Sequence, residues 1–138
     1  MDHSEDRFEV VIPSAYDLGQ QVVQRIVDKA TQAGFGGRDL FGIRLSVDEA
    51  VTNAIKHGNK LSPDKTVRID FRLDQRAVRI EIEDQGSGFR PEEVPDPLAE
   101  ENLERPSGRG LMLMREFMTR IEFNDKGNVV VLEKLRST

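Results

Sequence analysis

The chain has no cysteine, so disulfide staples and thiolate metal sites are both excluded. It has no tryptophan, one tyrosine and only two histidines, His3 and His57, which leaves no material for a multi-histidine zinc site. Nowhere do eighteen apolar residues run together, and the opening "MDHSEDRFEVV" lacks the basic and apolar regions of an export signal, so neither a membrane span nor secretion is expected. Positive charge is also in deficit: 20 Lys and Arg stand against 25 Asp and Glu, a net charge of -5. A phosphate backbone is gripped by clustered cations, so direct nucleic-acid binding is not expected. What remains is a soluble chain of 138 residues, read as one domain over 1–138, able to bury roughly two thirds of its extended surface in a single core.

The pattern of apolar residues gives the elements. "RFEVVIPS" alternates Phe8, Val10 and Ile12 and stops at proline, which predicts a strand over about 7–12. Ser14 is placed to cap the helix that follows, whose Leu18, Val22, Ile26 and Ala30 lie four apart up to Gly34. A second helix is expected from about Arg38 to His57, ending at Gly58. "TVRIDFRL" and "AVRIEIED" flank "DQR" as a hairpin over 66–83 with charged outer faces. "GLMLMREFMT" reads as a short buried helix, and "RIEFNDKGNVVVLEKL" as a last hairpin turning at "NDKGN". Between the two hairpins, the segment from Gly86 to Gly110 holds four prolines, four glycines and a run of acids. It is too long for an idle connection, and reads as a lid or binding loop, with disorder as the plain alternative. The order β-α-α-β-β-loop-α-β-β predicts an α+β fold: a two-layer sandwich whose mixed, mainly antiparallel sheet is covered on one face by helices.

Three stretches carry candidate chemistry. In "LSVDEAVTNAIKHGN", a step of 100° per residue gathers Ile43, Val47, Ala50, Val51, Ala54 and Ile55 into an apolar arc of roughly 140°. Glu49, Asn53 and His57 then form a polar stripe along its rim, at roughly 240°, 280° and 320°. In "EDQGSGF", Asp84 follows a strand and precedes Gly86 and Gly88, so backbone can approach a flat ligand while the carboxylate accepts from its amine. The same residues also suit a simple turn, but not a calcium loop, for want of regularly spaced oxygen ligands. In "SGRGLMLM", Gly108 and Gly110 open a helix whose free N–H groups favour an anion, with Arg109 and Arg105 able to add charge; an ordinary helix start is the alternative. It is neither a Rossmann fingerprint, since Leu113 stands where the third glycine belongs, nor a P-loop.

The order and spacing of the three stretches resemble the N, G1 and G2 boxes of the GHKL ATPase superfamily, with its histidine-kinase-like ATPase fold. "EAVTNAIKHG" with "DQGSGF" and "GRGLMLM" looks like the anti-sigma factor serine/threonine kinases of bacterial partner-switching systems. The resemblance implies an ATP-dependent protein serine/threonine kinase that sequesters a sigma factor and phosphorylates a STAS-type anti-sigma antagonist. It further implies ATP or ADP with Mg²⁺, a homodimer and a cytoplasmic setting without nucleic acid or membrane. By the same resemblance Asn53 would hold Mg²⁺, and Glu49 would act as general base. Asp84 would take the adenine amine, with Gly86 and Gly88 meeting the base. Gly108, Arg109 and Gly110, with Arg105, would close on the phosphates, and residues 90–107 would form the ATP lid. His57 would either support the phosphate region or simply end its helix. A switch kinase that binds no sigma factor and a non-catalytic nucleotide-binding module are the rival functions.

Overall fold

The computed structural model describes residues 6–86 and 108–136. Five strands form one sheet: β1 (Asp6–Pro13), β2 (Thr66–Leu73), β3 (Ala77–Glu83), β4 (Arg120–Phe123) and β5 (Val129–Leu135), in the spatial order β1-β2-β3-β5-β4. Every ladder is antiparallel, so the expected mixed sheet is, among the described strands, purely antiparallel. The physical reason is that β2–β3 and β4–β5 are hairpins, and α1 (Tyr16–Gln32) and α2 (Gly37–Asn53) together return the chain to the end of β1 that it left, where Thr66 pairs with Pro13 and β2 runs back along β1.

Alternation sets the two faces. Val67, Ile69 and Phe71 of β2 and Val78, Ile80 and Ile82 of β3 are buried beneath the helices, and Phe8 stacks on Phe71 with ring centroids 5.0 Å apart. The opposite face is charged. Arg68 donates to Glu9 at 3.1 Å, to Glu83 at 2.9 Å and to Glu81 across the β1–β2–β3 ladders, and these carboxylates hold its guanidinium protonated beyond the ordinary arginine range, Glu81 most strongly. Beside it Asp70 is buried, paired to Arg7 at 3.2 Å.

The helices depart from expectation at three places. Ser14 does not cap α1: Ala15 holds the cap position with extended backbone and no side-chain bond, while the buried Ser14 hydroxyl donates to Lys65 O and accepts from Asn59. Its partners lie across the fold, and they outcompete the local helix end. The second helix is α-helical only to Asn53; Ala54–Gly58 form a π turn, closed by Asn59 N–H bonding Ala54 O at 2.9 Å. Finally, α3 (Gly108–Phe117) is not buried all round. Leu111, Met114 and Met118 enter the core, whereas Met112 and Leu113 are exposed, because a helix packed on one side has a single stripe to bury. Gly42 of α2 lets α3 come close, since a Cβ there would lie 2.6 Å from Phe117 Cβ.

Candidate functional site

A pocket opens where α2, the π turn, the end of β3, α3 and the β4–β5 turn converge. Its walls are apolar, with Ala50, Ala54, Ile82, Leu111, Met114 and Val130 among them, and its polar groups are few: Asn53, His57, Asp84 and Asn128. A concave apolar slot with a few convergent polar groups is the usual form of a small-molecule site. It encloses about 80 Å³, far below the roughly 300–1,000 Å³ of a site that swallows a drug-sized ligand. It can therefore take the flat part of a ligand and leave the rest at its mouth.

The structure brings most of the sequence candidates together. Asn53 and His57 project into the pocket from consecutive turns of the α2–π segment, and Asp84 faces them from the end of β3. Burial pushes the Asp84 carboxyl above the usual carboxylate range, and the Gly86 N–H, donating to Oδ1 at 2.8 Å, draws it part of the way back. A carboxylate held short of water is primed to accept a proton-bearing ligand group. Glu49 stands one turn before Asn53, outside the pocket lining, against the first turn of α3: a Cβ on Gly110 would lie 2.4 Å from Glu49 Oε1. Burial raises the Glu49 carboxyl above its ordinary 4.5, and the neighbouring Asp48 adds to the shift. The rise favours a proton acceptor over an inert surface carboxylate. Gly108 and Arg109 open α3 beside it. Gly88, Arg105 and the segment 90–107 proposed as a lid lie outside the described residues.

Other residues of the site read in the sequence only as a helix end or a turn. Gly58 is one: Asp84 Oδ2 would lie 2.4 Å from a Cβ at that position, and Gly58 O would lie 1.9 Å from a Cβ on Gly86, so the two backbones meet directly. The turn read as "NDKGN" does close a hairpin, but it also walls the pocket. Asn124 Oδ1 accepts from the N–H groups of Gly127, Asn128 and Val129, and Asn128 exchanges bonds with Asp84, accepting from its N–H and donating to its carbonyl. Asparagine and glycine at a hairpin tip read as turn chemistry, and nothing local tells that the β3–β5 pairing runs on past Glu83 and Val129 to join Asn128 to Asp84.

Among the described residues no cluster of three or more His, Asp or Glu could cage a metal. The half-buried amide of Asn53 in the pocket could therefore offer a metal one neutral oxygen. It fits a Mg²⁺ ion that arrives with phosphate oxygens and water as its other ligands, and does not fit a resident ion held by protein alone. Among the described residues, no helix is long and apolar enough to cross a membrane.

Comparison with known proteins bears on the family and the fold. The pattern of the histidine kinase-like ATPase domain matches residues 12–134. An anti-sigma F factor of Clostridium perfringens is 37% identical over 106 residues, covering 72% of this chain and 75% of that protein. A serine-protein kinase RsbW of Listeria monocytogenes is 28% identical over 129 residues, covering 88% and 80%. Among solved structures, one of RsbU and RsbW domains from Mycobacterium tuberculosis superposes with a TM-score of 0.62 at 14% identity, covering 96% of this chain and 33% of that one; it bears on the fold alone.

Proposed function

Since the chain belongs to the histidine kinase-like ATPase domain family, we propose that it is an anti-sigma factor and ATP-dependent serine/threonine protein kinase, acting in the cytoplasm. It binds ATP with Mg²⁺, holds a sigma factor, and phosphorylates a STAS-type antagonist, as a homodimer whose protomer is one nucleotide-binding unit. The observation that carries this reading is a single pocket lined by Asn53 and Asp84, with Glu49 at the head of α3 one turn away. The relatives named anti-sigma F factor and serine-protein kinase support the two halves of the activity.

The residues divide the work by chemistry. Leu111, Met114 and Ile82 offer apolar faces to a purine, and the Asp84 carboxylate accepts from an exocyclic amine, which adenine has and guanine replaces with a carbonyl at the matching edge. The first turn of α3, with Gly108, Arg109 and Gly110, presents N–H groups to phosphates, helped by Arg105. Asn53 would hold Mg²⁺, which neutralises phosphate charge when bound. His57 supports this region from the π turn; Gly86 makes room for the Gly58 backbone beneath Asp84, and Gly88 would let backbone meet the base. Glu49 takes the proton from the acceptor hydroxyl as its oxygen bonds to the γ-phosphorus and the bond to the β–γ bridging oxygen breaks, leaving ADP.

The test is a pull-down from native extract with ATP or ADP present, followed by a phosphotransfer assay on the proteins recovered. A sigma subunit retained only with nucleotide, together with labelled phosphate on a serine or threonine of a small antagonist, is the expected result. Phosphotransfer without any sigma subunit would leave a switch kinase of the same fold. Neither activity would reduce the chain to a binding module.

A further inference from the structure

Asn59 is fully buried immediately after the π turn, and it uses every polar atom of its side chain. Oδ1 accepts from the N–H of Gln85 at 2.7 Å, while Nδ2 donates to Ser14 Oγ and to Thr66 O, both at 2.9 Å. Around it the bonds close into a ring. Ser14 Oγ donates to Lys65 O at 2.8 Å, and Thr66 N–H donates to Gln85 Oε1 at 2.7 Å. The residue after Asp84 is thus fastened to the ends of β1 and β2. Asp84 itself is held from the other side by its two bonds with Asn128, and its carboxylate is pressed against Gly58, the residue before Asn59.

Resting on the nucleotide reading above, we infer that Asn59 is a positioning residue for base selectivity: by accepting from Gln85 N–H it fixes the 84–86 backbone, so that the Asp84 carboxylate meets adenine and rejects guanine. Asn59 does not line the pocket; it acts through Asp84. Discrimination between an amine and a carbonyl depends on where one carboxylate stands. Letting the backbone drift weakens the good contact and relieves the bad one together, so the ATP:GTP affinity ratio falls faster than ATP affinity alone.

The experiment measures Kd for Mg²⁺ATP and Mg²⁺GTP by calorimetry, beside the melting temperature, for the parent and five variants, Asp84→Ala among them. Asn59→Ala removes all three bonds, whereas Asn59→Asp keeps the acceptor for Gln85 N–H and loses the two donors. Both should melt lower than the parent. The ratio should drop about five- to tenfold in Asn59→Ala and stay near the parental value in Asn59→Asp, the range expected for one hydrogen bond. Should either fail to fold, the bond can be cut from its other end. Gln85→Pro removes the donor N–H, and Gln85→Ala removes only the side-chain bond to Thr66. The former should lower the ratio by the same factor and the latter leave it unchanged. Melting temperatures that fall while ATP:GTP ratios hold in Asn59→Ala or in Gln85→Pro would overturn the inference and leave Asn59 a purely structural residue. A parent that binds GTP as well as ATP, or an Asp84→Ala protein with parental selectivity, would overturn the nucleotide reading instead, so the two failures are distinguishable.

Discussion

Asp84 and Glu49 are both carboxyls raised by burial, yet their predicted roles separate on substitution. Losing a charge-assisted bond costs about 1.5–3 kcal/mol, so Asp84→Ala should weaken ATP at least about tenfold, which calorimetry reads directly. Glu49→Gln keeps the shape and loses the proton acceptor. It should bind Mg²⁺ATP like the parent and transfer phosphate at least ~100-fold more slowly in single turnover. The same substitution has a signature without ligand. Because the folded carboxyl sits above its ordinary 4.5, the folded protein retains a proton that the unfolded chain has released, so this group's stabilising contribution is lost as pH rises from 4.5 through the folded value. Glu49→Gln lacks that loss: it should melt above the parent at pH 7, with the gap closing as pH falls toward 4.5. An unchanged gap across that range would show that Glu49 is not held out of water. Such residues were legible in the sequence because each lies in a short stretch with its own chemistry. Asn59 was not, since its partners Ser14 and Gln85 stand 45 and 26 residues away. Its role exists only after the chain has folded.

At the level of elements, the hairpins were readable because their turns are local: Asp74 Oδ1 accepts from the N–H groups of Arg76 and Ala77 within the "DQR" turn itself. The π turn was hidden. "AIKHG" continues the helical composition of α2, and its last residue, Gly58, packs against Asp84 and Gly86 just beyond β3, a long-range contact that no helical wheel contains. The charged outer face was expected, but not that one arginine would tie three strands. Replacing Arg68 by methionine leaves Glu9, Glu81 and Glu83 facing each other beside buried Asp70, and should cost about 1–3 kcal/mol in urea unfolding. Repulsion between partly exposed carboxylates is screened, so part of that loss should return in 1 M salt. A variant as stable as the parent at low salt would show the network to be decorative.

For the whole molecule, a ligand that binds only the folded state stabilises it by mass action. Mg²⁺ATP at about 100 times its Kd should add about 2.7 kcal/mol and raise the melting point by roughly 5–15 °C. Chelating the metal should remove much of that shift if Asn53 acts through Mg²⁺, and a shift indifferent to chelator would deny the metal its place. The sheet's connectivity has a different consequence, for birth on the ribosome. Among the described strands β1 pairs only with β2, in a register that sets Arg7 opposite Arg72 and lets it reach diagonally to Asp70, 63 residues along the chain. At about 5–20 residues per second, the first strand emerges roughly 3–12 s before its partner exists. During that interval Phe8, Ile12 and the apolar stripes of α1 and α2 have no sheet to close on. The nascent chain therefore carries these apolar groups uncovered for a time set by translation speed between β1 and β2, and slow codons placed there would lengthen it.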